Sequence, residues 1–362
     1  MAVTQMPQKP LKVMTIRGRI DDVYDKYMVV SFQAATLVLS IGTEKVTEVK
    51  DSGLSDNERT LHIGILEDNS YVQVTPKSII HIKGDQANRK RAKWDSAGKI
   101  LRACSNSRQV AISIEGGQIV YFELDEMSGL LNEIESRLIP DSEIACLDID
   151  EVPEGRQRCR FLALGFNDKT VKIMSLDPES CLQRISMQAL PAKPESVSLI
   201  NFQKDEQSQN QLFLHVGLEN GVLLRTLVDN VTGVLSDSRT RFLGTNAVTM
   251  AKVRQSGCNA LVALCNKPWL CYQSMKKVNI TPLSYESLES ASSFCSEKCP
   301  EGIVAISGNS IRIISVERLG ESFTHQVMNL KYTPSKMCVH PETNYLVILE
   351  KDHNCFSSRE RA

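Results

Sequence analysis

The stretch FLHVGLENGVLLRTLVDNVTGVLSDSRTRFLG, residues 213–244, reads as three short strands joined by two tight turns. Residues 213–218 form a mostly apolar run, Glu219-Asn220-Gly221 turns the chain, and 222–228 runs back. A second turn at 230–233 leads into a more polar strand at 238–243. Asn-Gly between apolar runs signals a hairpin, because both residues tolerate positive φ and the resulting turn matches the twist of paired strands.

The same grammar recurs at 28–41, 71–82, 110–124, 161–176, 213–228, 261–273, 303–316 and 346–356. Successive starts are separated by 43, 39, 51, 52, 48, 42 and 43 residues. An all-β repeat of this period predicts propeller blades, each of four strands that bury their faces only against neighbouring blades. The fold class expected is therefore all-β, a seven-bladed β-propeller with a partial extra hairpin at its C-terminal end. Periodicity alone leaves eight blades open. Residues 1–26 read as a connector from a preceding region and 27–330 as the propeller. Residues 331–362 read as the truncated start of a following β domain.

Bulk composition agrees with a globular chain. The 362 residues are 42% hydrophobic and 23% charged, with a formal net charge of −1, so no global field favours nucleic acid or an acidic membrane. No apolar run approaches the roughly 20 residues that cross a bilayer, and residues 1–10 lack the apolar core of a signal peptide. Of 11 cysteines, Cys146, Cys265, Cys271 and Cys338 sit in apolar strand sequences. They are expected to be buried, reduced thiols.

Motifs that carry chemistry are sparse. There is no phosphate-binding glycine loop, nucleophile elbow or zinc-protease helix. Cys295 and Cys299 make one C-x-x-x-C, but a structural zinc site needs four ligands, no second pair lies near in sequence, and His325 could join only through folding. His215 reads as a core or channel residue rather than a base, and Asp148 and Asp150 as outward positions of one strand. Asn230 and Asn279 open glycosylation sequons by spelling alone. Arg89-Lys90-Arg91-Ala92-Lys93, beside Trp94, is the one basic run. It reads as a solvated loop, with a nuclear-import or RNA-contact patch as the alternative. No catalytic, cofactor or metal residue is assigned, and the channel-lining strands are expected to be Val, Leu, Ala, Ile and Gly. Partner-binding residues stay unassigned, because rim chemistry is not legible from one sequence.

Five segments carry a family resemblance: SLDPESCLQRISMQALPAKPESV (175–197), residues 217–244, TPLSYESLE (281–289), CPEGIVAIS (299–307) and YTPSKMCVHPE (332–342). They resemble the middle of the splicing factor 3B subunit 3 family, spliceosome-associated propeller proteins of the U2 small nuclear ribonucleoprotein. That family is related to damaged-DNA-binding protein 1 and to the large cleavage and polyadenylation specificity subunit. The resemblance implies three seven-bladed propellers, of which this chain is the middle one. It further implies a nuclear, non-catalytic scaffold within splicing factor 3b, beside a large HEAT-repeat subunit and a very small subunit. Pre-mRNA and U2 small nuclear RNA would be met only indirectly, with no cofactor, membrane or small-molecule substrate. The run at Arg89 to Lys93 and residues 355–362 depart from the family pattern. A ubiquitin-ligase or DNA-damage adaptor, and a propeller enzyme, are the alternative classes.

Overall fold

A computed structural model describes residues 2–6, 8–42, 45–84, 89–134, 142–202, 211–274, 277–316, 328–343, 345–352, 356 and 359–360. The chain opens with a short strand, β1 (Ala2–Gln5). Six antiparallel four-stranded blades then follow in chain order. The first is β2 (Lys12–Arg17), β3 (Asp25–Ser31), β4 (Thr36–Ile41) and β5 (Val46–Glu48). The second is β6 (His62–Ile65), β7 (Tyr71–Val74), β8 (Ser78–Lys83) and β9 (Lys90–Asp95). The third is β10 (Ile100–Ser105), β11 (Gln109–Ile114), β12 (Ile119–Leu124) and β13 (Leu131–Glu133). The fourth is β14 (Ile144–Ile149), β15 (Phe161–Phe166), β16 (Thr170–Ser175) and β17 (Arg184–Ala189). The fifth is β18 (Pro194–Asn201), β19 (Leu212–Leu218), β20 (Val222–Val228) and β21 (Leu235–Phe242). The sixth is β22 (Thr249–Gln255), β23 (Cys258–Leu264), β24 (Pro268–Ser274) and β25 (Lys277–Pro282).

The seventh blade closes the circle. Its first three strands are β26 (Ser290–Ser296), β27 (Cys299–Ser307) and β28 (Ser310–Ser315), and β1 supplies the fourth. The register runs from Ala2 opposite Ile313 to Gln5 opposite Ser310, and Met6 N–H donates to Asn309 O at 2.8 Å. Each first strand packs beside the next, and β26 returns to β2, so the ring of seven is complete. Residues 1–26, expected as a connector, instead contribute two of its strands. Their short, polar pattern hid that role.

The predicted hairpins are the second and third strands of each blade, and their near-continuous apolar runs have a simple cause. Period 2 deals successive side chains to two different layers. In β15, Phe161 and Ala163 join the cluster shared with the fifth blade, while Leu162, Leu164 and Phe166 join the one shared with the third. The turn after β19 needs glycine. Gly221 has φ +81°, and a Cβ there would collide with the Gly244 carbonyl.

The basic run is not a loop. Lys90, Arg91 and Lys93 belong to β9, the outer edge of the second blade, with Ile82 opposite Arg91 and Ile80 opposite Lys93. Lys93 pairs with Asp95 at 2.8 Å, Arg89 with Asp51 at 3.1 Å, and Trp94 stands edge-on to Phe122 at 5.1 Å. Charged side chains suit an exposed edge because they discourage pairing with another sheet.

Residues 318–362 form a separate unit. In it β29 (Thr333–Val339) pairs with β30 (Leu346–Lys351), Val339 lying opposite Leu346. The run expected as a hairpin at 346–356 is therefore the second arm of one whose first arm is β29, the chain turning after Val339, where His340 N–H donates to Tyr345 O at 2.8 Å. Cys338, expected to be buried, is exposed here, and Cys258 is exposed in the ring. Of the segment 204–211, which reads as a polar excursion, all but Gln211 lies outside the described residues. Among the described residues no helix is long and apolar enough to cross a membrane.

Leu164→Ala, in a fully buried layer between two blades, should cost about 2–5 kcal/mol. Calorimetry should show one ring transition moved as a whole, because every blade shares its burial. A split into two ring transitions would contradict that sharing.

Candidate functional site

The axis is lined by the first strands, β2, β6, β10, β14, β18, β22 and β26, and they are polar. The expectation of aliphatic channel strands was attached to the wrong hairpin arms. These first strands carry Lys12, Thr15, Arg17, His62, Arg102, Asp148, Lys252 and a run of serines.

Their polar groups tie neighbouring blades together. Thr15 Oγ1 donates to Ser293 O at 2.6 Å, and Lys12 Nζ donates to Leu61 O at 2.8 Å. His62 Nε2 and Ser105 Oγ are 2.7 Å apart, and Arg102 Nε donates to Ala145 O at 2.9 Å. Leu199 N–H donates to Asp148 at 2.8 Å, Ser196 Oγ to Val248 O at 2.7 Å, and Gln255 Nε2 to Val316 O at 3.1 Å. Each bond ends on a different blade, so these polar atoms find their partners only when the ring closes.

Asp148 and Asp150 do not point outward. Asp148 meets Lys252 of the sixth blade at 2.7 Å, and the same ammonium donates to Ile149 O at 2.9 Å. Burial pulls Lys252 down, but Asp148 and Asp150 outweigh it and hold the ammonium above its usual range. Burial pushes Asp150 up to about 7, against the pull of Lys252. At the end where the first strands finish, a cavity of about 750 Å³ opens. Asp21, Asp22, Asp25, Asp150, Glu151 and Glu301 line it, against Arg17, Lys252 and Arg254.

His62 with Ser105 has the spacing of a base and a nucleophile. Burial, then Lys12 and Lys252, push this imidazole down to about 3, where it takes no proton from a hydroxyl at neutral pH. His215 is fully buried beside the rings of Phe202 and Phe213, at 5.6 and 6.3 Å. Cys295 and Cys299 flank one hairpin turn, where Cys295 N–H donates to Asp25 at 2.8 Å, and His325 lies outside the described residues. Asn230 sits in the turn after β20 and Asn279 within β25, opposite Tyr272. Sequence reasoning missed the Ser70 hydroxyl, which donates to Asp68 and lies 2.6 Å from His81 Nε2 inside the second blade. Its residues carry no recognisable spacing.

A closed ring of seven blades with a polar axis matches a known family over residues 1–316: the RSE1/DDB1/CPSF1 second beta-propeller. The chain belongs to that family. Among RSE1/DDB1/CPSF1 relatives it is 47% identical over 372 residues to splicing factor 3B subunit 3 of Danio rerio, covering 100% of this chain and 30% of that protein. It is 45% identical to spliceosome-associated protein 130 A of Arabidopsis thaliana, again covering 100% and 30%. Pre-mRNA-splicing factor rse1 of Emericella nidulans is 42% identical, covering 99% and 30%. The chain thus spans less than a third of these relatives' length.

Two outcomes follow from this propeller's axis. A folded pKa near 7 lies above the ordinary carboxylate value of about 3.9, so the native state holds the Asp150 proton longer than the unfolded chain. Its contribution to stability therefore falls as pH rises from about 4 to about 7. Asp150→Asn should remove that decline, gaining more over the parent at pH 8 than at pH 4 in urea titrations. An equal gain at both would contradict the assignment. Lys252→Met leaves the Asp148 carboxylate unpaired and should cost about 2 kcal/mol, given partial solvent access. Adding Asp148→Asn should recover part of the loss in a double-mutant cycle. Strict additivity would show that the pair carries no coupling.

Proposed function

We propose that this chain is the middle propeller of a larger, non-catalytic scaffold protein that works in pre-mRNA splicing in the nucleus. The observation that carries the reading is identity of 42–47% along 99–100% of the chain to proteins named as splicing factors in an animal and a fungus and as spliceosome-associated in a plant. The axis supports it. Its Lys12, Arg102, Asp148 and Lys252 are engaged in holding blades together, and His62, the axial histidine that meets Ser105, is disarmed by burial and like charge. What remains for such a ring is to present its rims and edges to other proteins.

In this reading the protein acts within splicing factor 3b of the U2 small nuclear ribonucleoprotein. Its partners there are a large HEAT-repeat subunit and a very small subunit, and RNA is met through them. The hairpin β29–β30 begins a following β domain, consistent with the chain's 30% share of its relatives.

The test is affinity purification of the full-length protein that contains this chain. Co-purification of U2 small nuclear RNA with spliceosomal subunits, a HEAT-repeat protein among them, is the expected result. Recovery of a cullin in their place would overturn the reading in favour of a ligase adaptor.

A further inference from the structure

At the mouth where the first strands finish, the cavity of about 750 Å³ joins acidic side chains from several blades. Six carboxylates line it against three cations, and two of those cations are already engaged. Lys252 pairs with Asp148, which is not part of the lining, and donates again to Ile149 O. Arg17 Nη1 donates to Ile20 O at 3.2 Å. Of the carboxylates, Glu301 accepts the N–H groups of Ser256 and Gly257, whereas Asp21 and Glu151 stand exposed.

Asp25, the first residue of β3, is the decisive member. It is only 9% exposed, yet among the described residues no ion pair reaches it. Its Oδ2 accepts Cys295 N–H at 2.8 Å, and the neighbouring Thr15 hydroxyl gives its one proton to Ser293 O. Arg17 and Arg254 are near enough to act on it through their charge, but neither bonds to it. A carboxyl withdrawn from water with capacity to spare is costly unless a donor meets it. Asp150 repeats the pattern on the fourth blade, because Lys252 goes to Asp148 and leaves it without an ion pair. Among the described residues no three acidic groups converge as metal ligands, so the carboxylates suit an elongated, donor-rich cation better than a point charge. Ile16, Ile20, Ile65, Leu199 and Val253 give the cavity an apolar wall. On its lip Val23 and Tyr24 are 68% and 46% exposed. The loop that carries them is held in place by Ile20 N–H donating to Asn69 at 2.9 Å and the Tyr71 hydroxyl to Gly18 O at 2.8 Å.

We propose that this mouth docks a basic segment of a partner protein, one arginine or lysine side chain entering the cavity to meet Asp25 and Asp150 while an adjoining apolar residue rests on Val23 and Tyr24. The cationic head makes charge-assisted bonds to carboxyls that the ring leaves unpaired, and its stem lies along the aliphatic wall. The excess of negative charge selects such a segment and repels a phosphate backbone. The site is a property of the ring and stands apart from any role in splicing.

Calorimetric titration of the full chain at low, fixed ionic strength tests it, using a capped peptide, acetyl-Ala-Arg-Leu-Arg-Ala-amide, and its twin with citrulline in place of arginine. Saturable binding of the arginine peptide, absent with the citrulline twin and weakened by added salt, supports the site. Asp25→Asn and Asp150→Asn should each weaken that binding about tenfold or more. Glu151→Gln should weaken it about two- to fivefold, and Glu179→Gln, on the crossing between β16 and β17, should leave it unchanged. Because Glu151 is exposed, its variant keeps the test valid should Asp25→Asn fail to fold. No saturable binding of the arginine peptide, or equal binding of the citrulline twin, would overturn the proposal. So would equal affinity in Glu151→Gln and Glu179→Gln, or spermidine binding as tightly as the peptide, which would mark a site for small cations instead.

Discussion

Everything in this ring depends on interblade contact, in which each sheet buries a face only because its neighbour is present. An isolated four-stranded blade would expose both sides of its middle strands. Ala163 and Leu164 show the arrangement at one-residue resolution: both are 0% exposed, yet they belong to different layers. With roughly 25 cal/mol for each Å² of apolar surface removed from water, no blade retains its burial alone. Closure by β1 matters for the same reason. It completes the seventh sheet, so that the chain's first strand and its last blade hold each other, and no blade is left with an open face.

The polar belt at the axis solves the companion problem. First strands crowd toward a narrow centre, where water is scarce and main-chain carbonyls need partners. Side chains from one blade reach the backbone of the next, as Lys12 does to Leu61 and Arg102 to Ala145. Charge at the axis is therefore structural first. Lys252, bridging the sixth blade to Asp148 and Ile149 of the fourth, is the clearest case. A centre used in this way favours function at the rims, which fits membership of a family whose relatives are named for splicing.

What the sequence revealed and what it hid follow from the same geometry. The hairpins were legible because strands buried on both faces are continuous in Val, Leu, Ile and Phe, and because Asn220-Gly221 and its counterparts are strong turns. The first and fourth strands of each blade were poorly legible. They are short, alternate toward water or the axis, and look like loops, which is why β1 and β2 passed for a connector and β9 for a solvated run. The channel was misread for the same reason. Asp148 and Asp150 have the alternation of outward residues, and only the ring's closure shows that their outward direction is the axis. Cross-ring partners such as Asp148 and Lys252, 104 positions apart, have no sequence signal in a single chain.

Native-state hydrogen exchange across all seven blades tests the central claim most directly. If burial is shared around the ring, the slowest amides of β3, β7, β11, β15, β19, β23 and β27 should exchange with one common opening free energy, within about 1 kcal/mol. A blade whose slowest amides open several kcal/mol below the rest, while the others keep their protection, would contradict the account.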